Sequence, residues 1–260
     1  MTLQPESGAL PPWRSVLAVV AHPDDESFGL GAVISTFVGA GCAVAVLCLT
    51  RGEASGLHGV VGDLAAVRSH ELTDAARELG VDTVRLLSYP DSLLSEVDSS
   101  ELAAHVVDMA FEVGAQGLLV FDTDGVTGHA DHVQATTAAV NAAGKVGVGV
   151  LAWTVPVDVA RRLVAEFDAA FIGRGEAEVD LVLDVDRVRQ RAAVACHPSQ
   201  AIPTSVLWRR LDLLGGREHL RWLTPDATAG GRAVTTDAPT GAGATRPPTA
   251  PDQEIPWHVS

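Results

Sequence analysis

No run of about 18 apolar residues, the length a membrane-spanning helix needs, occurs in the 260 residues. The first residues also lack the basic start and apolar stretch of a secretory signal, so a cytoplasmic protein with no membrane partner is expected. Positive charge is scarce, with 18 Lys and Arg against 33 Asp and Glu and a net charge of −15. Without clustered cations the chain is not built to grip nucleic acid through its phosphates. Cysteine is scarce too: Cys42 and Cys48 share one apolar, β-like run and Cys196 lies in a helix-like segment, giving neither a disulfide framework nor a CxxC metal clip. They read as buried thiols. A Gly-rich phosphate loop is also missing: the turn after the first strand candidate is His22-Pro23-Asp24-Asp25-Glu26, whose acidic groups would repel the pyrophosphate of a dinucleotide.

What is present suits one globular domain, with 47% hydrophobic and 20% charged residues. Short β-rich runs at Ser15–Ala21, Cys42–Thr50, Thr83–Tyr89, Gly117–Asp122 and Gly147–Val155 alternate with helical segments at Ser27–Gly39, Gly62–Leu79, Ser99–Glu112 and Asp131–Ala143. Gly80 is a candidate C-cap and Ser99 and Ser100 are candidate N-caps, while Val179–Val185 is a candidate edge strand. That alternation predicts an α/β fold, a Rossmann-like, mostly parallel sheet flanked by helices, with the active site at the C-terminal ends of the strands. The expected organisation is an N-terminal extension over 1–14, the domain over 15–223 and a flexible tail over 224–260, where Ala, Thr, Pro and Gly dominate. Pro156–Leu223 is expected to cover one side of the pocket.

Two clusters carry chemistry, and both fall where a predicted strand hands over to a helix. In the first, Asp24 or Asp25 would serve equally as an ordinary helix cap, but capping does not explain His22 beside two adjacent aspartates. Neutral imidazole and carboxylate suit Zn²⁺, and adjacent side chains in a turn point different ways, so one Asp can bind metal while the other faces its water. The second cluster runs from Asp122 and Asp124 to Gly128-His129-Ala130-Asp131-His132. Two histidines three apart lie on neighbouring helix faces, so His132 can ligate while His129 points at a substrate. His22, Asp25 and His132 thus make a three-ligand set with one position left for water.

Ala21-His22-Pro23-Asp24-Asp25-Glu26 followed by Gly128-His129-Ala130-Asp131-His132 resembles the LmbE-like, or PIG-L, N-acetylglucosamine deacetylase family. The likeness runs from about Val16 to Arg221 and takes in Thr50-Arg51-Gly52-Glu53, Arg68, Tyr89-Pro90-Asp91-Ser92 and Cys196-His197-Pro198-Ser199-Gln200. It implies a zinc-dependent hydrolase that removes an N-acetyl or related N-acyl group from an amino sugar or similar small molecule. His22, Asp25 and His132 would hold Zn²⁺, or Fe²⁺ in its place, with Asp24 as general base. His129, kept as imidazolium by Asp131, would stabilise the oxyanion, while Arg68, Asp91 and His197 would line the substrate pocket and Glu26 would be structural. Two departures stand out: Thr127 where some members with thiol-sugar substrates carry Tyr, and Ala130 where Pro is common. The rival readings are an amidase acting on a thiol-sugar conjugate and a non-catalytic metal- or sugar-binding member. Oligomeric state is left open, a homo-oligomer included.

Overall fold

The structure is a computed structural model that describes residues 8–56 and 62–225, together with the backbone of residues 253–255. Along the chain, β1 (Ser15–Val20) leads through α1 (Asp25–Phe28) and α2 (Gly31–Gly39) to β2 (Ala43–Thr50). α3 (Leu64–Leu79), β3 (Thr83–Tyr89), α4 (Ser99–Glu112), β4 (Gly117–Phe121), α5 (Ala130–Val146) and β5 (Gly149–Thr154) follow. These five strands are parallel, in the order β3-β2-β1-β4-β5. They form because their runs of Val, Leu and Ala are buried on both faces, as a helix-covered parallel sheet requires. Along β1, Val16, Ala18 and Val20 enter one hydrophobic cluster while Leu17 and Val19 enter the other, the two-residue alternation of a pleated strand.

Helix ends follow local chemistry. Asp63 accepts a hydrogen bond from the Ala66 N–H at the start of α3, and Gly80 closes the helix in the left-handed region at φ 78°. α4 is capped by Asp98, which accepts from the Ser100 N–H at 2.8 Å, rather than by either of the serines expected there.

The region after β5 is only partly legible in the sequence. It forms α6 (Val157–Phe167), β6 (Leu181–Asp184), α7 (Val188–Ala195), α8 (Val206–Leu214) and β7 (Arg217–Thr224). β7 inserts antiparallel between β5 and β6, extending the sheet at that side. Its sequence, REHLRWLT, hides a strand because polar groups sit at inward positions: Glu218 is buried and accepts from the Trp153 indole N–H at 2.7 Å. β6 lies within the edge strand expected at Val179–Val185.

The stretch expected as an N-terminal extension packs onto the sheet where it is described. Trp13 is 5% exposed, stacks on Phe37 at 5.8 Å and meets Trp222 edge-on at 5.7 Å. The Gly8 N–H donates to the Val182 carbonyl at 2.9 Å. At the other end β8 (Gln253–Ile255) runs antiparallel to β3. The rest of the tail expected to be flexible, Trp257 included, lies outside the described residues apart from 224 and 225. Among the described residues no helix is long and apolar enough to cross a membrane.

Trp13→Ala should cost about 3–5 kcal/mol, the usual range for emptying a buried tryptophan site. Urea unfolding measures it, and a loss near zero would mean that residues 8–14 do not belong to the folded unit.

Candidate metal centre and active site

β1 and β4 are adjacent, but the chain winds one way across the sheet from β1 and the other way from β4. A crevice opens outside the carboxyl ends of strands at such a switch point. The β1 loop brings His22, Asp24 and Asp25 there, and the β4 loop with the first turn of α5 brings His129, Asp131 and His132.

His22, Asp25 and His132 offer ligand atoms that all lie within 4.8 Å of one another. His22 Nδ1 is 3.2 Å from His132 Nε2, and His132 Nε2 is 3.2 Å from Asp25 Oδ1. Tetrahedral bonds of about 2.0–2.1 Å place neighbouring donors about 3.3 Å apart, so the set matches zinc in spacing as well as in chemistry. Each ring is oriented from behind. His132 Nδ1 meets the Gly125 carbonyl at 3.1 Å, leaving Nε2 to present its lone pair. Gly125 sits at φ 68°, and a Cβ there would come within 2.8 Å of the His132 side chain. His22 Nε2 lies 3.0 Å from Asp91 and 3.3 Å from Asp131. Burial works against a charged His22, but Asp131, Asp25 and Asp91 outweigh it and hold its pKa well above the ordinary imidazole value. Asp25 is also buried, which favours its neutral form, yet His132 and His22 win and keep it well below the usual carboxylate range.

A second group, His22, His129 and Asp131, is equally compact. Its carboxylate is already engaged, because the Asp131 oxygens accept from the Ser92 N–H at 2.7 Å and the Leu94 N–H at 3.1 Å. The His129 ring is engaged as well: its Nδ1 accepts from the Asp131 backbone N–H at 3.2 Å. This corrects the expected pairing of Asp131 with a His129 imidazolium. The carboxylate turns to His22, and burial together with His132 and His22 lowers the His129 pKa, favouring a neutral ring with its proton on Nε2.

Asp24 stands apart from the ligand set. Its backbone is strained at φ 133°, and the Glu26 carboxylate accepts from its N–H at 2.9 Å. Burial raises its pKa, Arg68 opposes and Asp25 reinforces, leaving it at about 6. Arg68 is buried rather than a surface group, donating to the Pro23 carbonyl at 2.5 Å and the Gly52 carbonyl at 2.6 Å while pairing with Asp24 at 3.0 Å. Only glycine fits at position 52, where φ is 66° and a Cβ would stand 2.1 Å from the guanidinium. Arg68 thereby ties the β1 and β2 loops together.

His197 is not where a pocket residue should be. It is fully buried, and its Nε2 lies 2.8 Å from Glu26, the residue that holds Asp24. Asp122 and Asp124, from the second sequence cluster, are both paired with Arg174 and do not join the metal set. Arg174 carries no local sequence signal because it arrives from 50 residues away.

Two cavities meet over Asp24, Asp25, His132 and Gln200. The polar one, about 370 Å³, adds His22, Ser55, Arg68, Asp91, Ser92 and His129. The apolar one, about 190 Å³, adds Phe28, Phe121, Trp153, Phe171, Val206 and Leu207. Phe171, Gln200, Val206 and Leu207 come from the segment after β5, which supplies one wall as expected. Gln200 was overlooked in favour of His197 within one motif, although it is the residue that reaches both cavities.

Residues 17–143 match the sequence model of the PIG-L family, described as GlcNAc-PI de-N-acetylase. A 1D-myo-inositol 2-acetamido-2-deoxy-alpha-D-glucopyranoside deacetylase of Streptomyces griseus is 36% identical over 157 residues, 51% of this chain and 49% of that protein. The chain thus spans about half the length of the curated relatives it matches. The chain shares its fold with a teicoplanin deacetylase solved in a zinc-inhibited form, at TM-score 0.63 and 20% identity over 82% of this chain and 99% of that one. A 4-carboxy-2-hydroxymuconate hydratase from Pseudomonas putida is nearly as similar, at TM-score 0.60 and 20% identity over 86% of this chain and 100% of that one. Deacetylases and a hydratase share the fold, so any activity of this chain has to be argued from its site.

If Asp131 orients His22, Asp131→Asn should weaken zinc binding about 10- to 100-fold, the usual cost of losing an outer partner of a ligand. Chelator competition reads this. Unchanged affinity would return Asp131 to His129.

Proposed function

We propose that the protein is a Zn²⁺-dependent hydrolase that removes an N-acetyl or related N-acyl group from an amino sugar. The observation that supports this most directly is Asp24. A carboxylate with a pKa of about 6 stands beside the ligand set without belonging to it and borders both cavities. A protein that only bound metal or sugar would have no need of that proton acceptor. The relatives named for deacetylation of acetamido sugars point to the same class.

His22, Asp25 and His132 would hold the ion, whose chemistry when bound is to polarise an amide carbonyl and lower the pKa of water toward 7. The polar cavity, ringed by carboxylates, Arg68 and His129, suits the hydroxyls of a sugar. The apolar cavity suits the acyl group, which places the scissile amide between them, over Asp24. Asp24 takes the proton of the attacking water, and with a pKa near neutrality it can return that proton to the departing amine. The neutral His129 ring donates from Nε2 to the oxygen on which charge develops, a contact stronger in the transition state than toward the substrate carbonyl. Arg68 and Glu26 keep Asp24 in its strained position.

His22→Ala, Asp25→Ala and His132→Ala should each lose stoichiometric zinc by elemental analysis, whereas Asp24→Asn should keep it. Asp24→Asn should lower kcat on N-acetylglucosamine conjugates about 10²- to 10⁴-fold, the normal worth of a general base. Near-normal turnover with full zinc would remove Asp24 from the mechanism. Because the base must be ionised, wild-type activity should fall as pH drops through about 6 or below, the bound cation pulling this limb downward.

His129→Ala should reduce kcat about 10²- to 10³-fold while changing KM far less. His129→Gln, which can still donate, should recover part of the loss. Equal effects on KM and kcat would mean that His129 binds substrate in its ground state instead.

A further inference from the structure

The wall of the apolar cavity contains a charge that the reaction does not use. Arg210, on α8, lines this cavity with Phe28, Trp153 and Phe171, and is itself 6% exposed. Its guanidinium carbon lies 4.9 Å from the centre of the Trp153 ring, and one terminal nitrogen donates to the Phe28 carbonyl. Among the described residues its buried Nε has no hydrogen-bond partner. The nearest acid is already committed: buried Glu218 is paired with buried Arg187 and also accepts the Trp153 indole N–H. Two buried guanidinium groups therefore share one carboxylate, leaving an excess of positive charge at Arg210 in a cavity that also borders the carboxylates of Asp24 and Asp25. Burial lowers the Arg210 pKa only to about 10, so the group stays charged at neutral pH. A buried charge without a counter-ion is costly, and a cavity that keeps one is complementary to an anion.

The volume agrees. About 190 Å³ is roughly six times the ~30 Å³ share of a water molecule in the liquid, far more than an acetyl methyl fills. We propose that the apolar cavity binds an N-acyl chain longer than acetyl that ends in a carboxylate, with Arg210 as the partner of that carboxylate. The substrate class is then the half-amide of a dicarboxylic acid, such as an N-succinyl, N-glutaryl or N-adipoyl amino sugar. This rests on the hydrolase reading for its chemistry. Water adds across the amide, its oxygen going to the acyl carbon, the C–N bond breaking and the amine taking the proton, so that a dicarboxylate and a free amine leave. The chain methylenes lie against Phe28, Phe171 and Leu207, and the terminal carboxylate turns away from Asp24 and Asp25 toward Arg210.

The test measures binding and turnover separately on the zinc-loaded protein. Calorimetry with glutarate, pentanoate and acetate isolates the second carboxylate, because glutarate and pentanoate share chain length and one acid group. Glutarate should bind about 10- to 100-fold more tightly than either monoacid, the range expected for hydrogen bonds to a charged group. In Arg210→Met that advantage should vanish. Should this variant fail to fold, Val206→Trp, which fills the cavity from α8, should remove the preference instead. Glutarate binding no better than acetate, or a preference untouched by either substitution, would overturn the inference. Turnover of N-glutaryl- and N-acetylglucosamine separates the two readings. Cleavage of the acetyl compound without any glutarate preference leaves the hydrolase and discards the anion subsite. Arg210-dependent glutarate binding without cleavage of any N-acyl amine keeps the subsite and discards the hydrolase.

Discussion

Four carboxylates, Asp24, Asp25, Asp91 and Asp131, converge with His22, His129 and His132 at one end of the sheet, most of them nearly removed from water. Like charges brought this close in a low-dielectric setting repel strongly unless cations lie among them. Arg68 supplies one beside Asp24, and the imidazoles answer the remaining carboxylates: His22 and His132 both hold protons more tightly than free histidine. A divalent ion between His22, Asp25 and His132 would do the same work without a proton, which is why metal affinity here should be linked to proton release. The rest of the site follows from meeting this constraint. Asp131 and Asp91 stand behind His22, the Gly125 carbonyl behind His132, and Glu26 with His197 behind Asp24.

The fold makes such a cluster affordable by drawing its members from separate loops. His22 to Glu26 leave β1, Arg68 reaches back from α3, Asp91 follows β3, and His129 to His132 open α5. The β1 and β4 loops leave strands that are buried almost throughout, so their geometry is inherited from a rigid part of the molecule. The segment after β5 completes the apolar wall begun by Phe28, Phe121 and Trp153, and brings Gln200 to where the two cavities join. That wall is also where the protein keeps Arg210.

Much of this was legible before any coordinates. The strands from β1 to β5 announced themselves as apolar runs, and the ligand set could be assembled because both motifs sit beside those runs. What escaped the sequence shares a physical cause. β7 is rich in polar residues, and its buried Glu218 pairs with Arg187 ahead of α7 and Trp153 on β5, partners distant in sequence that leave no local signature. His197 belonged to a suggestive motif yet faces Glu26 in the interior, since a motif fixes neighbours along the chain and not the direction of a ring. The Asp131 carboxylate was assigned to the nearest histidine in sequence. In three dimensions His22, 109 residues away, lies at its oxygen, and only the His129 ring and the Asp131 N–H are joined locally. Trp13, in the stretch expected as an N-terminal extension, is held by Phe37 and Trp222, partners no periodicity could reveal.

The central claim is that one ion is held by His22, Asp25 and His132, with Asp24 beside it as a base and not as a ligand. Anomalous diffraction at the zinc edge from crystals of zinc-loaded protein addresses it most directly. A single strong peak should appear within bonding distance of His22 Nδ1, Asp25 and His132 Nε2, with Asp24 outside the coordination shell. A peak centred instead on His22, His129 and Asp131, or on Asp24 in place of Asp25, would contradict it.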